Sequence, residues 1–357
     1  MAPRSQRRRD FREVARLGEL LEAQRLGCEL AGSPLYATVL GAVGADLAKG
    51  GPCCRLLLPY AGSSFGDAVV LRFLAGVHAL VLTGRAPRLA LHYPSAGGSP
   101  GPSLESDFRA VVESHEAELA ESLLRPVQTN EVGRCVPLLC GYLVLGESGM
   151  PLRVLEVGAS AGLNLWFDHY RYEAAGLSVG PASSPLRFEE PFTGSPPAMD
   201  VMPTVAVRRG CDLDPIDPGT EAGVTRLRSL VWPDQTDRRL RLDAAIDCIR
   251  GEPPVVDAAD ALEWTGRHLA EAAEGLRTVV VHSIVLQYMP LDVRRRFVET
   301  VEDAGARATD DAPLAWLRME PAGDVAETRM TTWPGGTNRV VATSGYHGPP
   351  VRVNATD

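Results

Sequence analysis

The stretch "LRVLEVGASAGLNL", Leu152 to Leu165, decides how this chain is read. Four of its first six residues are apolar, as in a buried strand; a turn of glycine and small residues follows, and then a helix-compatible run begins. The strand ends at Glu156–Val157, and Gly158, Ser160 and Gly162 make the turn. A small-residue turn lets the backbone approach a ligand closely. The helix N-terminus after it presents free N–H groups and a partial positive charge. Glu156 stands where a carboxylate reaches the polar groups of a cofactor. Dinucleotide enzymes carry G-x-G-x-x-G at this place, whereas this loop spells E-x-G-x-S-x-G.

The same letters contain "GASAG", which matches the G-x-S-x-G elbow of serine hydrolases. Ser160 would then be the nucleophile, a downstream Asp the orienter, and His282 or His347 the base. In that fold several strands precede the elbow. Here the preceding region reads as helical, and the strand candidates start at the loop itself. A tight turn without a ligand is the third reading.

Outward from the loop, short β-rich runs alternate with helical segments. "LRVLEV", "TVAVRR", "PVV", "TVVVHSIV" and "LAWLRM" are the strands. Helices are predicted around Leu163–Asp168, Val224–Val231, Arg239–Ile249, Ala258–Ala273 and Leu291–Ala304. Alternation of this kind implies parallel strands with crossovers, hence an α/β doubly wound sheet. At the end, "TRMTTW" and "RVVATSGY" flank "PGGTN" and read as an antiparallel hairpin. Before Pro151 the texture differs. Phe11, Val14, Leu17 and Leu21 recur at helical spacing, as do Phe108, Val112, Leu119 and Leu123. Ser33 is a predicted N-cap, with Pro34 at the first helical position and Gly50–Gly51 as the stop. His92 to Ser103 is a loop by composition. The expected division is a helical domain over 1–150 and an α/β domain over 151–357.

Composition narrows the function. The 357 residues are 45% hydrophobic, enough for a substantial core, and the net charge of −9 argues against broad binding to nucleic acid or acidic membranes. The basic start "MAPRSQRRRD" is followed by no apolar run, so it reads as a flexible tail and not a secretory signal. Ala68 to Gly84 is the most apolar stretch, but Arg72, Gly76 and His78 interrupt it, and a buried helix is expected. Seven cysteines without C-x-x-C fit a thiol-keeping cytoplasm, and the scattered histidines predict no structural zinc. Lys49 is the one lysine, which excludes Schiff-base or P-loop chemistry unless Lys49 itself serves.

In the order of its motifs the last part of the chain resembles the S-adenosylmethionine-dependent methyltransferases. "VLEVGASAGLNL" is similar to their first motif, "RGCDLDP" to the end of the second strand, "VVDAADALEW" to the third, and "TVVVHSIVLQYMP" to the fourth, which borders substrate. The resemblance implies a Rossmann-like methyltransferase fold ending in an antiparallel hairpin. It also implies S-adenosylmethionine held by Glu156, Gly158, Ser160, Gly162, Asn164, Asp212 or Asp214, and Asp260. A second resemblance covers nearly the whole chain. "SPLYATVL", "VHALVLTGRAPRLALHYPS", "VQTNEVGR", "EVGASAGLNL", "CDLDPID" and "VWPDQTDRR" are similar to the bacterial DUF2332 family. One departure stands out: about fifty residues separate Gly162 from Asp212, where roughly twenty is usual. The insertion, with "FDHYRY" and "GPASSPLRFEEPFTGSPP", reads as a lid, a substrate wall or a remodelled pocket.

Other residues have two readings each. In "QTNEVGR", Thr129 or Asn130 is a helix cap with Glu131 favouring the positive end, or else Gln128, Asn130, Glu131 and Arg134 wall a ligand pocket. His282 is a hydrogen-bonded core residue or a general base at the substrate border, with Tyr288 and Gln287 on the same rim. Tyr170 and Arg171 of "DHYRY" bind substrate or pack aromatically. "WPDQTDRR" reads as a loop with helix-start signals. The leading expectation is a cytoplasmic methyltransferase-like enzyme acting on a small molecule, alone or as a homo- or hetero-oligomer, with S-adenosylmethionine as cofactor and His282 as base. The alternatives are the same fold without methyl transfer, closing a ring by displacing an anion stabilised at the loop, and a non-catalytic binding module.

Overall fold

The protein is described by a computed structural model covering residues 4–128 and 130–354. Helices come first: α1 (Arg4–Leu30), α2 (Pro34–Leu47), α3 (Pro52–Leu57), α4 (Val69–Leu82), α5 (Pro87–Ala90), α6 (Leu104–Ser114), α7 (Glu116–Ser122) and α8 (Cys135–Gly146). Strands follow: β1 (Leu152–Val157), β2 (Arg171–Ala174), β3 (Leu177–Val179), β4 (Arg187–Glu189), β5 (Phe192–Thr193) and β6 (Val205–Asp212). Then come α9 (Glu221–Ser229), α10 (Thr236–Ile249), β7 (Val256–Ala258), α11 (Ala261–Leu269), β8 (Arg277–Ser283) and α12 (Leu291–Ala306). The chain closes with β9 (Leu314–Ala322), β10 (Val325–Trp333), β11 (Thr337–Gly345) and β12 (Gly348–Val353).

Two compact units result: Met1–Thr129 with Thr220–Leu240, and Asn130–Gly219 with Arg241–Asp357. The division expected near residue 150 therefore falls about twenty residues earlier. The reason is α8. Cys135 through Leu143 of this helix are all buried, so it has no solvent face and packs against β9, β10, β11 and β12. Thr220–Leu240 joins the first unit because α9 packs on α4.

In the helical unit, Phe65–Leu82 is long and apolar enough to cross a membrane by length and composition. Val69, Phe73, Val77 and Leu80 of α4 are nevertheless buried at core-helix spacing. α1 begins at Arg4, so most of the expected tail is helical, while Met1–Pro3, Thr129 and the Phe11 side chain lie outside the described residues. Ser33 holds the N-cap position of α2 but does not cap it. Its hydroxyl donates to Asp234, whose other oxygen accepts from Leu35 N at 3.0 Å. The cap is thus supplied from "WPDQTDRR".

The second unit is built on a nine-stranded sheet in the order β5-β12-β11-β10-β9-β8-β1-β6-β7. β7, β6, β1, β8 and β9 run parallel, with the third, second, first, fourth and fifth of these in chain order side by side. The chain reverses its direction of winding between β1 and β8. β9 to β12 then form an antiparallel meander, one strand longer at each end than the predicted hairpin. Val154, Leu155 and Val157 of β1 are buried, as a strand covered on both faces requires. The long insertion is not a loop. β3-β2-β4 make a second sheet in which Tyr172 stacks on Phe188 at 5.2 Å.

Candidate functional site

The turn after β1 is held by its own surroundings. Gly158 and Gly162 have φ of +70° and +73°, and Ser160 is left-handed at +54°. Consecutive amides all have acceptors. Gly158 N and Ala159 N donate to Cys211 O, and Gly162 N to Ala159 O. Ser160 N donates to Asp212 Oδ2 at 2.9 Å. Ala161 N and Leu163 N share Asn130 Oδ1 at 3.1 and 3.2 Å. Space beside the glycines is also taken. A Cβ on Gly158 would lie 2.5 Å from Val285 Cγ2, and one on Gly162 would lie 2.7 Å from Pro254 Cγ. The N–H cradle expected for a cofactor or a departing anion is therefore spent on internal bonds.

Beneath this closed turn, at the carboxyl end of β1, Glu156 is buried. Its Oε2 has no hydrogen-bond partner among the described residues. Burial pushes its carboxyl up to about 8, and the charge of Asp212 adds to the rise. The side chain of Asn164, hydrogen-bonded to it, and the guanidinium of Arg134 act in the opposite sense. Asn164 is in turn fixed by the Cys135 thiol, which donates to its Oδ1 at 3.1 Å. Arg134 donates to Ser283 O and Tyr346 O at 3.1 and 3.0 Å, tying the end of β8 to the β11–β12 turn. Glu131 accepts from Gly133 N and lies 3.3 Å from His347 Nδ1 and 3.9 Å from Arg241 Nη1. In the segment 130–134 the cap is Glu131, and not Asn130, while Thr129 lies outside the described residues. Glu131 caps a short turn, and Asn130 and Arg134 gather at the ends of β1 and β8.

Several predicted roles are corrected. His282 is fully buried, and both ring nitrogens are engaged: Nδ1 with Glu320 Oε1 at 2.8 Å, and Nε2 as acceptor from Trp316 Nε1 at 3.0 Å. Phe297 and Trp316 pack around the ring. It has no nitrogen left to take a substrate proton, so it is a core residue. This also removes it as a base for Ser160. Tyr288 and Gln287 are exposed after β8. Tyr170 is fully buried and donates its hydroxyl to Leu163 O at 2.5 Å, so it props the turn's exit and does not face a ligand. Arg171 pairs with Glu173 and donates to Gly180 O within the small sheet. Asp168 holds Arg208 bidentately at 2.7 and 2.9 Å. Asp260 caps α11, accepting from Leu262 N and Glu263 N. Asp212 Oδ1 accepts from Asp214 N. Gln128 belongs to the helical unit, where its Oε1 accepts from Arg226.

Sequence reasoning missed Glu320. It accepts from His282, Val285 N and Leu286 N, and these bonds hold its carboxyl below the usual range despite burial. A glutamate inside the apolar run "LAWLRMEP" was the available signal.

The unit is thus a mixed α/β structure with an open, mostly parallel sheet and ionisable groups at the carboxyl ends of its central strands. The chain belongs to the bacterial family DUF2332, described as "uncharacterized protein conserved in bacteria", whose model matches residues 19–352. No curated protein and no solved structure matches it.

Proposed function

We propose that the sheet-bearing unit is an enzyme acting on a small molecule, on a Rossmann-like frame akin to that of the S-adenosylmethionine-dependent methyltransferases, with Glu156 as its proton-transfer group. One observation carries this reading. Glu156 is a buried carboxyl group with an unpartnered oxygen, at the point where the winding reverses, and it titrates at about 8. Open α/β sheets bind ligands at such points, and a group that exchanges its proton near neutrality is what general acid–base catalysis uses. The order of the five parallel strands supports the frame.

The adenosyl cofactor does not fit the turn as packed. The amides from Gly158 to Leu163 have acceptors, and Val285 and Pro254 fill the flanks of the glycines. This favours the reaction that needs no cofactor there, an internal displacement. A nucleophilic N–H or O–H of the substrate attacks a carbon bearing a sulfate or phosphate ester. The new bond closes the ring as the C–O bond breaks, and the anion leaves with the electron pair. The nucleophile's proton passes to the Glu156 carboxylate. Positive charge for the anion comes from Arg134, since the turn's amides are occupied.

Methyl transfer is the second reading, favoured by one feature: the unpartnered Glu156 oxygen suits a cofactor's ammonium group. Calorimetry separates the two. S-adenosylmethionine and S-adenosylhomocysteine at millimolar concentration should give no heat of binding. Saturable binding that Gly158→Val abolishes would return the reaction to methyl transfer. Infrared titration tests both: a protonated-carboxyl band lost near pH 8 and absent from Glu156→Gln is expected, and its absence from the native protein would remove Glu156 from the chemistry.

A further inference from the structure

The helical unit holds a cavity of its own, lined by none of the residues gathered around Glu156. α4, α9 and the segment after α7 line an open cleft of about 430 Å³, within the range of small-molecule sites. Ala75 and Ala79 share one face of α4 and leave the width of the cleft open, whereas the space beside Gly76 is taken by Ser122, whose Oγ would lie 2.3 Å from a Cβ there. Charge on its lining is one-sided. Arg72, Arg125 and Arg226 stand against the single carboxylate of Glu221, in a chain whose net charge is −9. Arg72 donates Nη1 to Leu123 O at 3.3 Å, but its Nε is buried with no partner among the described residues. Arg125 is exposed at the rim.

A narrow recess of about 30 Å³ shares Ala75, Val127 and Leu230 with the cleft and reaches Tyr36 and Trp232. Tyr36 is 1% exposed, and its hydroxyl has no partner among the described residues. A buried guanidinium N–H costs free energy until an acceptor reaches it. Guanidinium groups match carboxylate and phosphate oxygens in planar, two-point fashion.

We propose that this cleft binds a small amphipathic organic anion, with its head on Arg72 and Arg125 and its apolar body along Ala75 and Ala79 to Val127 and Leu230. The head chemistry is an oxyanion, as in a carboxylate or a phosphate monoester. Calorimetry on the full chain with octanoate and with octyl phosphate tests this, with octan-1-ol as the uncharged control. Saturable binding of either anion is expected, with the tighter of the two identifying the head. Octan-1-ol and the Arg72→Gln/Arg125→Gln variant should each bind about tenfold more weakly or worse. Arg125 is exposed, so Arg125→Gln alone keeps the test valid if the double variant misfolds. Ala79→Leu fills the cleft and should abolish binding with the circular dichroism unchanged. No saturable binding of either anion at millimolar concentration would overturn the proposal. So would octan-1-ol binding as well as the anions, or folded variants binding like the native chain.

Discussion

Replacing Glu156 by glutamine should make the protein more stable at alkaline pH, and the gain should grow with pH. Glutamine has nearly the shape of a protonated glutamate. In the folded protein burial raises the Glu156 carboxyl from 4.5 to about 8. An unfolded chain would ionise it at its ordinary value. Between the two values the folded state holds a proton that the unfolded state has lost, so native stability falls as pH rises, and it levels off above the folded value. Linkage between about pH 5 and about pH 8.5 then amounts to roughly 4 kcal/mol lost by the native protein and not by the variant. With a urea dependence of about 2 kcal/mol per molar, the difference between the two unfolding midpoints should widen by about 2 M across that interval. Other titrating groups are common to both proteins and cancel in the difference. Urea titrations followed by far-ultraviolet circular dichroism measure it. Parallel pH profiles for the two proteins would show that Glu156 ionises in the fold at its ordinary value, and the reading of a carboxyl poised near neutrality would fall with it.

Two further substitutions test the packing of the site. His282→Leu leaves Trp316 Nε1 without its acceptor and Glu320 without its ring partner, and it should cost about 2 to 4 kcal/mol in thermal or urea unfolding; a loss under about 0.5 kcal/mol would mean the histidine is not part of the core network. Asn130→Ala strips the acceptor from Ala161 N and Leu163 N. It should cost about 2 kcal/mol and speed hydrogen exchange at those two amides, and unchanged exchange there would show that the turn does not depend on Asn130.

What the chain declared by itself was its alternation. The apolar runs at Leu152, Val205, Arg277 and Leu314 are strands because each is short, apolar and bounded by turn residues, and local pattern suffices to fix that. The segment 171–189 showed no such run. Its strands alternate buried residues, Tyr172 and Phe188 among them, with half-buried or exposed charged ones, a pattern that becomes legible only once Phe188 has Tyr172 to stack on. The turn at Gly158–Gly162 was legible as a turn but not as a closed one. Its acceptors come from Cys211 and Asp212, about fifty residues later, and from Asn130, about thirty earlier, so no spacing rule reports them. His282 illustrates the same limit. A histidine near a strand end is a base or a core residue according to what stands opposite it, and only the pairing of β8 with β9 brings Glu320 and Trp316 to its two nitrogens. Sequence determined which residues were ionisable at the ends of the strands; tertiary packing decided that burial raises the Glu156 carboxyl and that both ring nitrogens of His282 are engaged, because burial and partner geometry are properties of residues far apart in the chain.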